Sequence, residues 1–208
     1  MFKLMLVTDR RRTTRPLTET VRMALAGGAD AVQLRERDLS ARELYDLALK
    51  LREITREAGA ALIVNQRLDV ALAAGADGVH LGWRSLNAAV VRKLAGEKFL
   101  VGLSCHDGLQ VHSAEGTRAN YALLGPVFHT PSKEGLVRPI GLGPLKEMLS
   151  GAKIPVLAIG GITPENAAQV METGVAGLAA ISALIDSEDP AAAARAFRKG
   201  MRLTNGAR

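Results

Sequence analysis

Val156-Leu157-Ala158-Ile159-Gly160-Gly161-Ile162-Thr163-Pro164-Glu165-Asn166 decides how the chain is read. The apolar run after Pro155 shows no alternation, so it reads as a strand buried on both faces, as parallel strands are. Gly160 and Gly161 then allow a tight turn and close approach of backbone to a ligand. Thr163 is placed to cap the next helix, and Pro164 suits its first turn. A strand, a bare glycine turn and a helix start together make an anion site, because unpaired N–H groups point outward there. A second such unit follows in Ala179-Ala180-Ile181-Ser182-Ala183, where an apolar strand ends on a small residue before a short helical stretch. Two adjacent strand ends of this kind, late in a barrel, form one pocket for a phosphate.

Outward from that pair, apolar runs predict strands at residues 3–8, 31–35, 61–65, 78–81, 99–104, 121–125, 156–159 and 178–182. Amphipathic stretches separate them. The clearest covers residues 40–58, with Leu44, Leu47, Ala48, Leu51 and Ile54 on one face and Ser40 and Glu43 spaced as a capping box. Gly28-Ala29-Asp30-Ala31-Val32-Gln33-Leu34 recurs as Gly75-Ala76-Asp77-Gly78-Val79-His80-Leu81, each a glycine closing a helix, a turn and a buried strand. That echo is the grammar of αβ loops and speaks for architecture, not activity. Eight strands alternating with about eight helices, and no linker, predict a single α/β domain over 1–208, a (β/α)8 TIM barrel with parallel strands. A doubly wound open sheet is the alternative, disfavoured because no G-x-G-x-x-G follows the first strand.

Hydrophobic residues make up 48% of the chain and aromatics 3%, so Ala, Leu and Val must fill the core, which suits helices packed on a parallel sheet. Cys105 is the only cysteine, which excludes an internal disulfide and points to the reducing cytoplasm. The first apolar run, residues 2–7, is too short for a signal peptide or a membrane span, so no membrane partner is expected. The net charge of +6 raises nucleic acid as a partner, but no nucleic-acid motif is present and few aromatics are available for stacking.

The charges gather at predicted strand ends, where barrels carry function: Asp9-Arg10-Arg11-Arg12, Arg35-Glu36-Arg37, Gln66-Arg67, Trp83-Arg84 and Lys133. Such a rim favours an anionic ligand. For Arg10, Arg11 and Arg12 a plain solvated rim is an equal reading. Gln33 and Arg35 are two apart on one strand and so share the face toward the barrel interior, where an arginine is costly unless it has a partner. Residues 126–139 read as a loop over the mouth. His80 reads as a satisfied core histidine, His112 as a helix surface residue and Cys105 as an inert core thiol. No lysine lies inside a predicted strand, which disfavours a Schiff-base aldolase.

The series V-Q-L-R-E-R, L-I-V-N-Q-R-L-D-V-A-L-A-A-G-A-D-G-V-H-L-G, G-L-S-C-H, G-P-V-F-H-T-P-S-K, A-I-G-G-I-T-P-E-N and A-A-I-S resembles the thiamin phosphate synthase/TenI family from the first strand to Ser182. The resemblance implies a TIM barrel, usually a homodimer, acting on thiazole phosphate. It implies that Gly160, Gly161, Ile181 and Ser182 hold the thiazole phosphate, and that Gln33, Arg35, Arg37, Asn65, Ser104, Thr130, Ser132 and Lys133 face the rest of the substrate. The synthase branch joins a pyrimidine pyrophosphate to the thiazole phosphate with Mg²⁺ held by two aspartates. Here those positions are Gln66 and Ser85, and Arg37 replaces the usual lysine. Mg²⁺ prefers charged oxygen ligands. The departures therefore favour the TenI branch, a thiazole tautomerase that moves a proton without metal or other cofactor. Its usual histidine position is Pro126, which leaves His129 and His106 as candidate catalytic residues. A synthase, with Mg²⁺, is the alternative. A non-catalytic phosphate-binding barrel is the third reading.

Overall fold

The computed structural model describes residues 2–82, 85–130 and 138–203. Eight strands alternate with helices in the order β1 (Leu4–Val7), α1 (Leu17–Ala26), β2 (Ala31–Leu34), α2 (Ala41–Glu57), β3 (Ala61–Asn65), α3 (Leu68–Ala73), β4 (Gly78–Leu81) and α4 (Ala88–Ala95). The second half runs β5 (Leu100–Cys105), α5 (Gly108–Glu115), β6 (Tyr121–Leu124), α6 (Leu142–Met148), β7 (Val156–Ile159), α7 (Ala167–Glu172), β8 (Gly177–Ala180), α8 (Ser182–Ile185) and α9 (Pro190–Leu203). All neighbouring strands pair in parallel, and β1 pairs with β8, so the sheet closes into a (β/α)8 barrel. That closure removes the open-sheet alternative. The last strand is followed by two helices, so the described residues hold one more helix than the expected eight.

Alternation along the strands builds two separate cores. Residues such as Leu4, Leu6, Val32, Leu34, Val64 and Val79 point outward and are buried under the helices. Met5, Val7, Ala31, Ile63, Tyr121, Leu123, Leu157 and Ala179 point inward and fill the barrel, with Phe2 set edge-on to the Tyr121 ring at 5.1 Å. The register keeps inward residues beside inward residues, as in Val7 with Gln33, Asn65 with His80 and His80 with Gly102.

Local chemistry explains the element boundaries. Ser40 and Glu43 form the reciprocal capping box, each bonding the other's backbone N–H. The Gly-Ala-Asp echo also acquires a cause. Asp30 accepts from the N–H groups of Lys3 and Leu4 and from Arg198, while Asp77 accepts from the N–H of Leu62 and from Arg52. Each aspartate entering a strand thus satisfies the start of the preceding strand, where ladder bonds have not yet begun. Thr163 does not cap α7 as expected. The helix begins three residues beyond Pro164, at Ala167, because Asn166 folds back: its Oδ1 accepts from the Thr163 N–H and its Nδ2 donates to the Gly161 carbonyl. No helix among the described residues is long and apolar enough to cross a membrane.

Candidate active site

The mouth of the barrel is formed by the C-terminal strand ends. Beyond β7 the chain turns through Gly160 and Gly161 at φ of +101° and +65°, a region that side chains other than glycine rarely adopt. Space makes the same demand. A β-carbon at Gly160 would lie 2.6 Å from Pro126 Cα, and one at Gly161 would lie 2.6 Å from the His129 carbonyl oxygen. The segment after β6 rests directly on this turn, with the N–H groups of Val127 and Phe128 donating to the carbonyls of Ile159 and Gly160. Next door, β8 ends at Ala180 and α8 starts at Ser182, with Ile159 beside Ala179 in the ladder. Among the described residues no hydrogen bond uses the N–H groups of Gly161, Ser182 or Ala183. Gly160, Gly161, Ile181 and Ser182 are therefore brought together as a pair of bare turns.

Charge on the rim sorts into two groups. Arg10 grips Asp38 through both terminal nitrogens at 2.7 and 2.6 Å, and its backbone N–H bonds the buried Glu36 carboxylate. Arg11 shares Asp38 at 2.8 Å, and Arg12 pairs with Asp186 across the β1–β8 seam. Hydrogen bonding to Arg10 holds Asp38 well below the usual carboxylate range. These three arginines build the rim and leave little open charge. Arg35 differs. It is half-buried at the end of β2, and among the described residues its guanidinium makes no ion pair and no hydrogen bond. Burial first, and then the like charge of Arg37, depress its pKa below the ordinary arginine value. Arg37 itself is exposed.

Gln33 is buried inside the barrel, its amide 3.7 Å from the Met5 sulfur. Asn65 ends β3 beside His80, half-exposed to the mouth. Ser104 sits on β5 with its hydroxyl 2.9 Å from His80 Nε2, and His80 Nδ1 lies 3.3 Å from the Tyr121 hydroxyl. His80 is thus the satisfied core histidine expected, with its pKa pushed down to about 3 by burial and by the charge of Arg35. Tyr121 was not foreseen as part of the site. The available signal was Gly102, a glycine in mid-strand, which marks close approach of another group. A β-carbon there would fall on the Tyr121 ring and 2.6 Å from His80 Nδ1.

His106 is half-buried and its Nδ1 lies 2.7 Å from the Gly125 carbonyl, which ties the end of β6 to the loop after β5. His129 is exposed and Thr130 half-buried on the segment lying over Gly161. Ser132 and Lys133, with half of the expected 126–139 loop, lie outside the described residues. Cys105 is buried beneath the helices and its thiol is pushed up to about 11 by burial, then by the charge of Asp107. His112 is exposed on α5 and bonds the Gly108 carbonyl.

The two positions where the resemblance places aspartate ligands are neighbours. A β-carbon at Gly82 would lie 2.8 Å from the Gln66 amide nitrogen, and the Ser85 hydroxyl accepts from the Gly82 N–H at 3.0 Å. Gln66 holds φ of +63°, an unusual value for a residue with a side chain. An amide and a hydroxyl already engaged by backbone carry no negative charge, and no group of three His, Cys, Asp or Glu that could hold a metal occurs among the described residues. This donor set does not fit Mg²⁺ held by the protein.

Fold and mouth together define a (β/α)8 barrel whose late strand ends carry bare backbone turns and whose β2 end holds Arg35, a guanidinium unpaired among the described residues. The sequence profile of the family described as "Thiamine monophosphate synthase" matches residues 4–184, and the chain belongs to that family. The chain is 46% identical over 185 residues to a thiamine-phosphate synthase of Moorella thermoacetica, covering 89% of this chain and 88% of that one. A thiamine-phosphate synthase of Roseiflexus is 46% identical over 192 residues, covering 92% and 81%. The solved thiamine phosphate pyrophosphorylase of Pyrococcus furiosus superposes with a TM-score of 0.89 at 40% identity, covering 97% and 96%.

These relatives overturn the tautomerase reading. The loss of the aspartates points to the TenI branch. Yet proteins 40–46% identical along nearly the whole barrel are named for the synthase reaction. Two side chains on the rim differ from the synthase pattern, while the chain as a whole resembles proteins named for the synthase reaction. With the tautomerase reading goes the need for a proton-carrying histidine at the sixth strand.

Proposed function

We propose that this protein is a thiamin phosphate synthase, a transferase that joins a pyrimidine carried as its pyrophosphate ester to thiazole phosphate and releases pyrophosphate. The observation that carries this reading is the 46% identity to proteins named for that reaction across about nine-tenths of the chain. In it, the bare turns Gly160–Gly161 and Ile181–Ser182 take the thiazole phosphate through backbone N–H groups. Arg35 and Arg37, with Lys133, take the charge of the departing pyrophosphate. Gln33, Asn65, Ser104, Thr130 and Ser132 position the pyrimidine and its leaving group. Developing negative charge on pyrophosphate is what an unpaired guanidinium in a low-dielectric mouth stabilises. No step is routed through a protein-bound metal, because Gln66 and Ser85 do not make a site for one. A cytoplasmic homodimer belongs to the same reading. His106 and His129 retain only orienting roles in it, through the Gly125 carbonyl and the turn at Gly161.

The test is a coupling assay with both substrates, with and without Mg²⁺. Formation of thiamin phosphate supports the proposal; none at high enzyme concentration eliminates it. A barrel that binds phosphates without turnover is the second reading, favoured by Gln66 and Ser85 alone. It requires tight ligand binding with no product.

A further inference from the structure

We infer that Tyr121 and His80 fix the direction of the hydrogen bond at Ser104, so that the serine hydroxyl donates into the barrel mouth, to an acceptor-only group such as a diphosphate oxygen. The diphosphate as ligand rests on the function proposed above; the polarity of the chain Tyr121–His80–Ser104 rests on its own geometry.

The phenol of Tyr121 is the deepest member and is 0% exposed. Burial raises its pKa, so it keeps its proton. Among the described residues its hydroxyl has one hydrogen-bond partner, His80 Nδ1 at 3.3 Å. His80 is 2% exposed and, held neutral, has one N–H and one lone pair to place. Two arrangements are available. If Nδ1 carried the proton and donated to the phenol oxygen, the phenol O–H would be left buried with no acceptor. If Nε2 carries it, the phenol donates to Nδ1, Nε2–H donates to Ser104 Oγ at 2.9 Å, and every buried proton is used. An unsatisfied buried donor disfavours the first arrangement by roughly 5- to 150-fold.

The consequence is at the mouth. With its oxygen already accepting from His80, Ser104 has its own proton left to give. Gly102, between His80 and Tyr121, supplies the room: a β-carbon would collide with both. The arrangement costs a mid-strand glycine and a buried tyrosine and histidine where aliphatic side chains would fill the same barrel. At neutral pH the oxygens of a diphosphate ester are mostly ionised and act as acceptors, so a serine of fixed donor polarity discriminates toward them. Tyr121 and His80 are positioning residues; neither has an open edge toward the mouth.

The experiment is nitrogen-15 NMR on histidine-labelled full-length protein, with the His80 signals assigned by their disappearance in His80→Gln. The expected result is a pyrrole-type Nε2 and a pyridine-type Nδ1 in the unliganded protein. The reverse pattern, or an imidazolium, overturns the inference. Calorimetry with inorganic pyrophosphate supplies the second arm. Ser104→Ala and His80→Leu should each weaken binding about tenfold, the worth of one charge-assisted hydrogen bond. His80→Gln, whose amide can place an N–H where Nε2 was, should remain within about threefold of the parent. Undiminished binding in Ser104→Ala, or in a folded His80→Leu, refutes the donor role. The tautomer is read without substrate turnover, so failure of the coupling assay and failure of this inference are separate results.

Discussion

Arg35 offers the sharpest test of the division of charges on the rim, and Arg35→Met is the perturbation. Methionine keeps much of the length of the side chain and removes only the guanidinium. In the unliganded protein that guanidinium is half-buried, depressed in pKa by burial and by Arg37, and unpaired among the described residues. It is therefore a charge the fold tolerates, not one that supports it. Removing it should leave stability unchanged or raise it by about 1 kcal/mol, the modest figure reflecting its partial exposure. For a chain of 208 residues that is a rise in Tm of roughly 2–4 °C. Affinity should move the other way. Losing one or two charge-assisted hydrogen bonds to a pyrophosphate, at about 1.5–3 kcal/mol each, weakens binding at least tenfold. The salt dependence of pyrophosphate binding should become shallower in the variant. Thermal denaturation and calorimetry with inorganic pyrophosphate measure the two quantities on the same sample. A variant that loses stability by more than about 1 kcal/mol while binding pyrophosphate normally would refute the reasoning, since Arg35 would then be a structural residue like Arg10.

Three further outcomes follow from the same geometry. Gly161→Ala adds a β-carbon 2.6 Å from the His129 carbonyl at a φ of +65°; it should cost about 1–3 kcal/mol in chemical denaturation and weaken thiazole phosphate binding severalfold. His80, at about 3 when folded against 6.5 in the unfolded chain, binds its proton only on unfolding between those values. Stability should thus fall as pH drops from 6.5 toward 3, by up to about 1.4 kcal/mol per pH unit from this residue, and His80→Gln should flatten the slope by that amount in urea titrations. Chelation should alter pyrophosphate affinity less than about tenfold in the parent, whereas Gln66→Asp with Ser85→Asp should make binding depend on added Mg²⁺; strong loss in EDTA by the parent contradicts the reading of those two positions.

The ends of the third and fourth strands show how little two side chains say about a whole pocket. Gln66 and Ser85 stand where the resemblance places aspartates, and they lie together beside Gly82. What could not be seen was the remainder of the pocket as a unit, because its members come from strands that are far apart in the chain. Thr163 shows the same limit on a smaller scale. Its residue type suits a cap, but the helix starts later, at Ala167, with Asn166 accepting from the Thr163 N–H and donating to the Gly161 carbonyl.

By itself the sequence determined the barrel. Uninterrupted apolar runs, helical spacing between them and glycines at the turns are local signals, and each acts through backbone geometry within a few residues. The Gly160–Gly161 turn was legible for the same reason, since glycine is the residue that adopts its positive φ values most readily. The tertiary structure decided which charges are free. Arg12 is joined to Asp186, and Arg10 to Asp38, so the run of three arginines, for which anion binding and a plain rim were equal readings from sequence, is spent on the rim. Arg35 is left without an ion pair among the described residues because the neighbouring Glu36 carboxylate is turned to the Arg10 backbone instead. Likewise His80 and Tyr121, 41 residues apart, acquire a direction for their protons only when closure of the barrel buries both. Pairing of charge and polarity of hydrogen bonds depend on neighbours across the sheet, and those neighbours exist only once the eight strands have closed.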